Sequence, residues 1–387
     1  MNEHRRPDPM RVREFAVTAR RLASERQRAS GIVEPLLRKI PQVEWPSLVD
    51  HVELQTVGAI EQLGNVVGHM VTKQPLAAKA LAELALALAE SIEPGSYPAV
   101  IITQTQAHAW KDLGKAHRYL GRNQEALRFF QIAEDKLGQC SLAHDRAVIR
   151  FNLAVSLQEM ERFDESQALL TESRGVFRAH GDTRNEVLCA FVEGVLLQRT
   201  NRFRDAREMY LLLLASTREL DTETRACLHQ TIGLCSIELG AFVDADTNLT
   251  HAIHLYRQIG QPVPILQVEL GRGRLLIRTR EAAKAVAHLL PVRREFLRHG
   301  MHEEAGISGL ELVEAYLLLD RASQAESLAK KIVGEFTLAE LNHRAITALS
   351  YLTEAIVARK AQPSLVSQVR EYILSLQWQP EREFHPA

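Results

Sequence analysis

The chain has 387 residues, is 46% hydrophobic, and carries 47 Lys and Arg against 48 Asp and Glu, a formal net charge of −1. One globular core rarely grows to that length, so two or three domains or an elongated repeat array is expected. Near-neutrality removes any global polyelectrolyte argument for nucleic acid or a membrane surface, and four cysteines without a C-x-x-C pair (Cys140, Cys189, Cys227 and Cys235) point to a reducing compartment.

The first residues, MNEHRRPDPMRVREF, are charged and have no apolar h-region, so no secretory signal is expected. Residues 1–40 hold ten Arg or Lys against five Asp or Glu, and residues 1–50 read as a basic, partly helical, frayed segment. The stretch RLASERQRASGIVEPLL gives no convincing helix, glycine turn and recognition helix, which disfavours DNA binding. Residues 51–106 read as a degenerate helical hairpin, broken at Gln74-Pro75 and stopped by Glu93-Pro94-Gly95. Its most apolar stretch, 76–88, is interrupted by Lys79 and Glu83 and is too short for a bilayer. A soluble, cytoplasmic protein without a membrane partner is therefore expected.

From 107 to 339 the sequence repeats. Gly114, Ala154, Gly194, Gly233, Gly273 and Val313 follow one another at steps of 39 or 40 residues. Twelve residues after each come Ala126, Ser166, Ala206, Ala245, Ala285 and Ala325. Four residues further on stand Phe130, Leu170, Tyr210, Leu249, Leu289 and Ala329. Each unit reads as two amphipathic helices and a tight turn. A helix-interior Gly costs up to about 1 kcal/mol, so its recurrence needs a packing reason, namely close approach of two helix axes.

The unit Trp110, Leu113, Gly114, Ala126, Phe130, Ala133 resembles the tetratricopeptide repeat, W-x-x-L-G … A-x-x-x-F/Y-x-x-A over about 34 residues. The resemblance covers about 107–339 as six units, the last two departing most, with Val313 for Gly and Ala329 for the large residue. The longer step is similar to that of kinesin light chains and bacterial peptide-sensing regulators, and implies longer second helices or inter-repeat loops. Residues 340–387 read as a capping helix pair, 341–360 and 364–377 with Pro363 as the break, plus a tail. The fold expected is all-α, a right-handed α-solenoid of helix-turn-helix hairpins.

The resemblance implies a concave groove lined by the first helix of each unit. In the first unit His108, Lys111, Lys115 and Arg118 fall at i, i+3, i+7 and i+10, one basic stripe. Later units add Asn152, Gln198, Gln230 and Arg274. Lys111 and Asn152 match two positions of the carboxylate clamp that such repeats use for chaperone C-termini. Lys115, Leu188 and Val192 depart from it. The partner expected is a protein or peptide that is acidic or carries a free carboxylate. The bland alternative is a solvated helix face. Phe191, Val195, Cys227, Leu234 and Ile237 read as an apolar groove or as core.

Enzyme signatures are missing: no G-x-S-x-G, H-E-x-x-H or G-x-x-x-x-G-K-[ST] occurs. Gly271-x-Gly273 sits inside a helical unit and follows no strand, and His251 with His254, or His299 with His302, lacks further ligands. No enzyme, metal or cofactor is expected. The function expected is a non-enzymatic protein- or peptide-binding scaffold or adaptor. The alternative is a ligand- or peptide-sensing regulator of transcription or signalling.

Overall fold

A computed structural model describes residues 9–386 apart from 73, 139, 141, 217–219, 340, 377, 378 and 380. Among the described residues every regular element is helical. Two compact units emerge, 1–189 and 190–387, and their boundary falls inside a repeat helix.

The first unit contains α1 (Pro9–Lys39), two 3-10 segments (Gln42–Asp50 and Val52–Leu54), α2 (Val57–Met70), α3 (Pro75–Glu90), α4 (Ala99–Tyr119), α5 (Asn123–Gly138), α6 (Ala143–Glu159) and α7 (Phe163–Ala179). Helix α8 (Thr183–Arg199) spans the boundary. The second unit continues with α9 (Phe203–Ser216), α10 (Thr222–Glu238), α11 (Phe242–Gln258), α12 (Pro262–Arg278) and α13 (Ala282–Arg298), then α14 (His302–Leu318), α15 (Ala322–Leu338), α16 (His343–Val357) and α17 (Pro363–Leu376). No described helix is long and apolar enough to cross a membrane.

The step of 40 has a simple origin. Helices α6, α7, α8 and α10 to α15 are each 17 residues long. The turns joining α10 through α15 are three residues each, so two helices and two turns span the period. The extra length over a 34-residue repeat lies in the helices, not in long inter-repeat loops. The turns share one closure: a residue in the left-handed region follows the helix, and the next amide donates back to the carbonyl five residues earlier. Arg122 N to His117 O, Asp182 N to Phe177 O, Glu281 N to Leu276 O and Arg321 N to Tyr316 O are examples, at 2.8–3.0 Å. Gly121, Gly181, Gly240, Gly260 and Gly300 fill the left-handed position in five turns, but Glu161, Asn201, Arg280 and Asp320 fill it in others.

The small-residue series is explained by a single pairing. A Cβ at Gly114 would lie 2.8–3.1 Å from three ring atoms of Phe130, and one at Gly233 would lie 2.8 Å from Leu249. Gly194 faces Tyr210, and Gly273 faces Leu289, in the same way. Each first-helix glycine therefore receives the large residue of its own second helix, not the alanine alone. Val313 and Ala329, both fully buried, hold the same two register positions with their sizes exchanged. In the sixth unit the first-helix glycines are Gly309 and Gly306, which face Ile332 and Phe336 of α15.

Residues 9–50 differ from the frayed segment expected, and residues 1–8 lie outside the described residues. Helix α1 is continuous, and Leu22, Glu25, Ala29 and Val33 are its buried stripe, at steps of three and four. Glu25 is the node: its carboxylate accepts from the Tyr97 hydroxyl at 2.8 Å, from Arg21 Nε at 2.8 Å and from the Gly58 amide at 3.3 Å. A Cβ at Gly58 would sit 2.6 Å from the Glu25 backbone, so glycine permits α2 to begin against α1. Arg20, Arg28 and Arg38 lie on its solvated face. The hairpin expected in 51–106 is α2 and α3, and α4 starts at Ala99, upstream of 107.

In the last helix pair, α17 packs on α14 as well as on α16. Arg370 on α17 reaches Glu311 and Glu314 of α14, each at 3.0 Å, and Arg274 of α12 reaches Glu311 at 2.8 Å. Burial pushes the Glu314 carboxyl up, with Arg370 opposing that and Glu311 adding to it.

Candidate functional site

Helices α2 and α4 pack together and leave a polar cavity of about 770 Å3 in the first unit. Helix α2 offers Gly64, Asn65 and Gly68, helix α4 offers Lys111, Asp112 and Lys115, and Arg26 and Arg184 stand at its edge. The α4 residues meet at one helical face because Lys111 and Asp112 lie four and three residues before Lys115. The Asp112 carboxylate lies over the α2 backbone, where a Cβ at Gly64 would be 2.6 Å from its Oδ2. Gly68 has no atom within 4 Å of a would-be Cβ, so packing does not explain it; it widens the cavity.

The charges do not cancel. Lys111 Nζ is 3.1 Å from Asp112 Oδ1, and Arg26 grips Glu61 bidentately at 2.6 and 2.7 Å. Lys115 makes no ion pair or hydrogen bond among the described residues, and neither does the exposed Arg184. Burial lowers the Lys115 pKa; Asp112 opposes that, while Lys111 and Arg118 lower it further. A desolvated ammonium without a partner favours an incoming anion.

The other residues expected at the site are engaged inside the fold. Arg118 donates to Glu159 of the next repeat at 2.9 Å, and its guanidinium also lies 4.5 Å from the Tyr119 ring centroid. Asn152 is buried and donates to the Val148 carbonyl of its own helix at 2.8 Å. Gln198 donates to Cys235 Sγ at 2.9 Å, Gln230 accepts from the Tyr256 hydroxyl at 3.2 Å, and Arg274 donates to Glu311 at 2.8 Å. Three of these, Arg118, Gln198 and Arg274, tie one first helix to the next, 41, 37 and 37 residues on. The basic stripe therefore divides: His108, Lys111 and Lys115 line the cavity, while Arg118 is a fastener. Asn152, bound to its own backbone, is not offered as a clamp residue.

At the opposite end of the same helices runs a second set of ties. His108 Nε2 lies 2.8 Å from Asp145, which also accepts from Gln104, and His144 Nε2 lies 2.7 Å from Asp182. Burial pushes the Asp145 carboxyl up, and the His108 and Gln104 hydrogen bonds outweigh it, leaving the group below its ordinary value.

Of the apolar set, Ile237 is fully buried, while Phe191, Val195, Cys227 and Leu234 are half-buried. Phe191 packs on Tyr210 with centroids 5.5 Å apart, and burial pushes the Cys227 thiol up. His251 and His254 are exposed, and no group of three or more His, Cys, Asp or Glu is placed to hold a metal ion among the described residues. Sequence reading missed Gly64, Asn65, Gly68, Arg26 and Arg184.

No family model matches the chain, and no curated protein matches it. Solved structures do. The apo form of the quorum sensor NprR from B. thuringiensis superposes with a TM-score of 0.62 at 11% identity, covering 87% of this chain and 97% of that one. A signal transduction ATPase with numerous domains and a tetratricopeptide repeat sensor, from Pyrococcus horikoshii, gives 0.60 at 13% identity over 92% of this chain. This chain spans 53%, about half, of that protein's length. The chain has a tetratricopeptide-repeat-like fold. The same fold is seen in aspartyl phosphate phosphatase F from Bacillus subtilis, with a TM-score of 0.58 at 9% identity over 78% of each chain. Within a tetratricopeptide-repeat-like fold, the α2–α4 cavity lies on the helices that begin each hairpin.

Proposed function

We propose that this protein is a peptide- or protein-binding repeat module, an adaptor that works by docking, and that the α2–α4 cavity takes the anionic group of its partner. The observation that carries the reading is Lys115: a desolvated cation without an ion pair, beside Lys111, in a cavity of about 770 Å3. A carboxylate or an acidic side chain would supply the missing counter-charge, and a preformed cavity lowers the ordering cost of binding. A direct titration tests it. Acidic peptides with a free C-terminus, and their neutral amidated counterparts, are titrated into the wild type and into the Lys111→Glu, Lys115→Glu variant, with circular dichroism as the folding control. The reading expects preference for the acidic set and its loss in the folded variant. Equal affinity for both sets, or an unaffected variant, would place binding elsewhere.

A second reading is favoured by two structural neighbours, a quorum sensor and a protein with a repeat sensor. On it the chain is a ligand-sensing regulator of transcription or signalling. It differs from the adaptor in requiring that the ligand shift the equilibrium between two conformations. Small-angle scattering with and without a bound acidic peptide separates the two: an altered profile supports the regulator, an unchanged one the adaptor.

A further inference from the structure

The last helix pair of the second unit carries a cleft of about 830 Å3. Helix α16 presents His343, Thr347 and Tyr351 on one exposed face, with Arg344 beside them, and α17 contributes Tyr372. Residues 381–386 have no regular secondary structure, and Glu381, Glu383, Phe384 and Pro386 among them form one wall of this cleft. Three contacts hold them. Arg344 reaches Glu381 at 2.9 Å and Glu383 at 3.7 Å. The Phe384 ring packs against Tyr372 and Tyr351 with centroids 4.9 and 5.8 Å apart. The Tyr372 hydroxyl donates to the Arg382 carbonyl at 2.7 Å.

Together these read a pattern: two carboxylates one residue apart, a backbone carbonyl between them, and an aromatic ring directly after the second acid. The cleft selects that pattern by a guanidinium, a hydroxyl and a pair of rings. The grip is nevertheless light. The Glu381 and Glu383 side chains are 88% and 71% exposed, and ion pairs so exposed contribute little. The Phe384 ring, tilted against Tyr372 and edge-on to Tyr351, adds an aromatic contact.

We propose that the α16–α17 face of this cleft is a binding site for a peptide segment of another protein with an acid-x-acid-aromatic pattern, and that residues 381–386 cover that face until that segment displaces them. The short connection to α17 keeps the chain's own segment at an effective concentration on the order of millimolar, so the site is masked against weak competitors and open to a stronger one. This site uses neither Lys111 nor Lys115, so it stands or falls separately from the α2–α4 cavity.

The probe is a fluorescein-labelled peptide of residues 379–386, QPEREFHP, read by anisotropy. It is titrated into the intact chain, into a chain ending at residue 378, and into full-length Glu381→Lys, Phe384→Ala, which releases the segment while keeping every helix. The shortened chain and the full-length variant are expected to bind the peptide at least about tenfold more tightly than the intact chain. Arg344→Glu in the full-length variant background is expected to weaken that binding about tenfold, as is replacing the peptide's Phe by Ala. No gain on releasing the segment, or a gain indifferent to Arg344→Glu, overturns the proposal. The full-length variant keeps the test decisive if the shortened chain misfolds.

Discussion

The pairing of Gly114 with Phe130 makes a quantitative prediction because the protein contains its own control. In the sixth unit the corresponding positions are Val313 and Ala329, with large and small exchanged, and both are fully buried. A Cβ at position 114 would approach the enclosed Phe130 ring to 2.8 Å, far inside the carbon–carbon optimum of about 3.5–4.0 Å. Gly114→Val alone is therefore expected to cost about 1–3 kcal/mol by overpacking, reduced by a few tenths for the better helix former. Phe130→Ala alone is expected to cost about 3–5 kcal/mol, as a cavity opens where a fully buried ring stood. The double variant carries the sixth unit's residues at these two positions, and the valine fills space that the ring vacated. Its cost is expected to fall below the sum of the singles by at least about 1 kcal/mol. The assay is urea unfolding by circular dichroism, with hydrogen exchange at α4 and α5, since repeat arrays open in parts. Additivity within about 0.5 kcal/mol would refute the shared-space account.

Three further outcomes follow from particular residues. Arg280 holds a left-handed turn at φ 62° and is exposed, so Arg280→Gly should raise stability by up to about 1 kcal/mol, read as a higher unfolding midpoint; an unchanged or lower midpoint counts against the turn analysis. Asp145 is held below its ordinary value of 3.8, so the stability it confers is present above that pH and is lost as pH falls through the lowered value. Asp145→Asn should flatten acid unfolding of the first unit in that window; an unchanged slope contradicts the assignment. Glu311 is fully buried between Arg274 and Arg370, so Glu311→Ala should cost about 3–5 kcal/mol by stranding Arg274 and leaving Arg370 with Glu314 alone, with exchange protection lost at α12, α14 and α17; a cost below about 1 kcal/mol would contradict it.

What the sequence made legible was whatever repeats within a single hairpin. Gly114 and its counterparts, the alanines twelve residues on and the large residues four further on lie on one pair of helices, and their common step exposes them. The roles of Arg118, Gln198 and Arg274 were hidden for the opposite reason. On its own helix each faces outward and reads as a groove residue, but its partner lies 37–41 residues away, on the next first helix. A search for complementary polar residues one period apart would have found Glu159 and Glu311. Helix α1 was obscured because one of its buried positions is Glu25, which breaks the apolar pattern. The cavity was half legible: Lys111 and Lys115 stood out, whereas Gly64 and Gly68 sit in a hairpin whose repeat signature has decayed.

The most direct test of the central claim is a hydrogen-exchange footprint of the protein with a saturating acidic peptide bearing a free C-terminus. The account predicts added protection across α2 near residues 64–68 and α4 near 108–115, abolished by Lys115→Glu. Protection confined to other helices, or a footprint that survives Lys115→Glu, would contradict it.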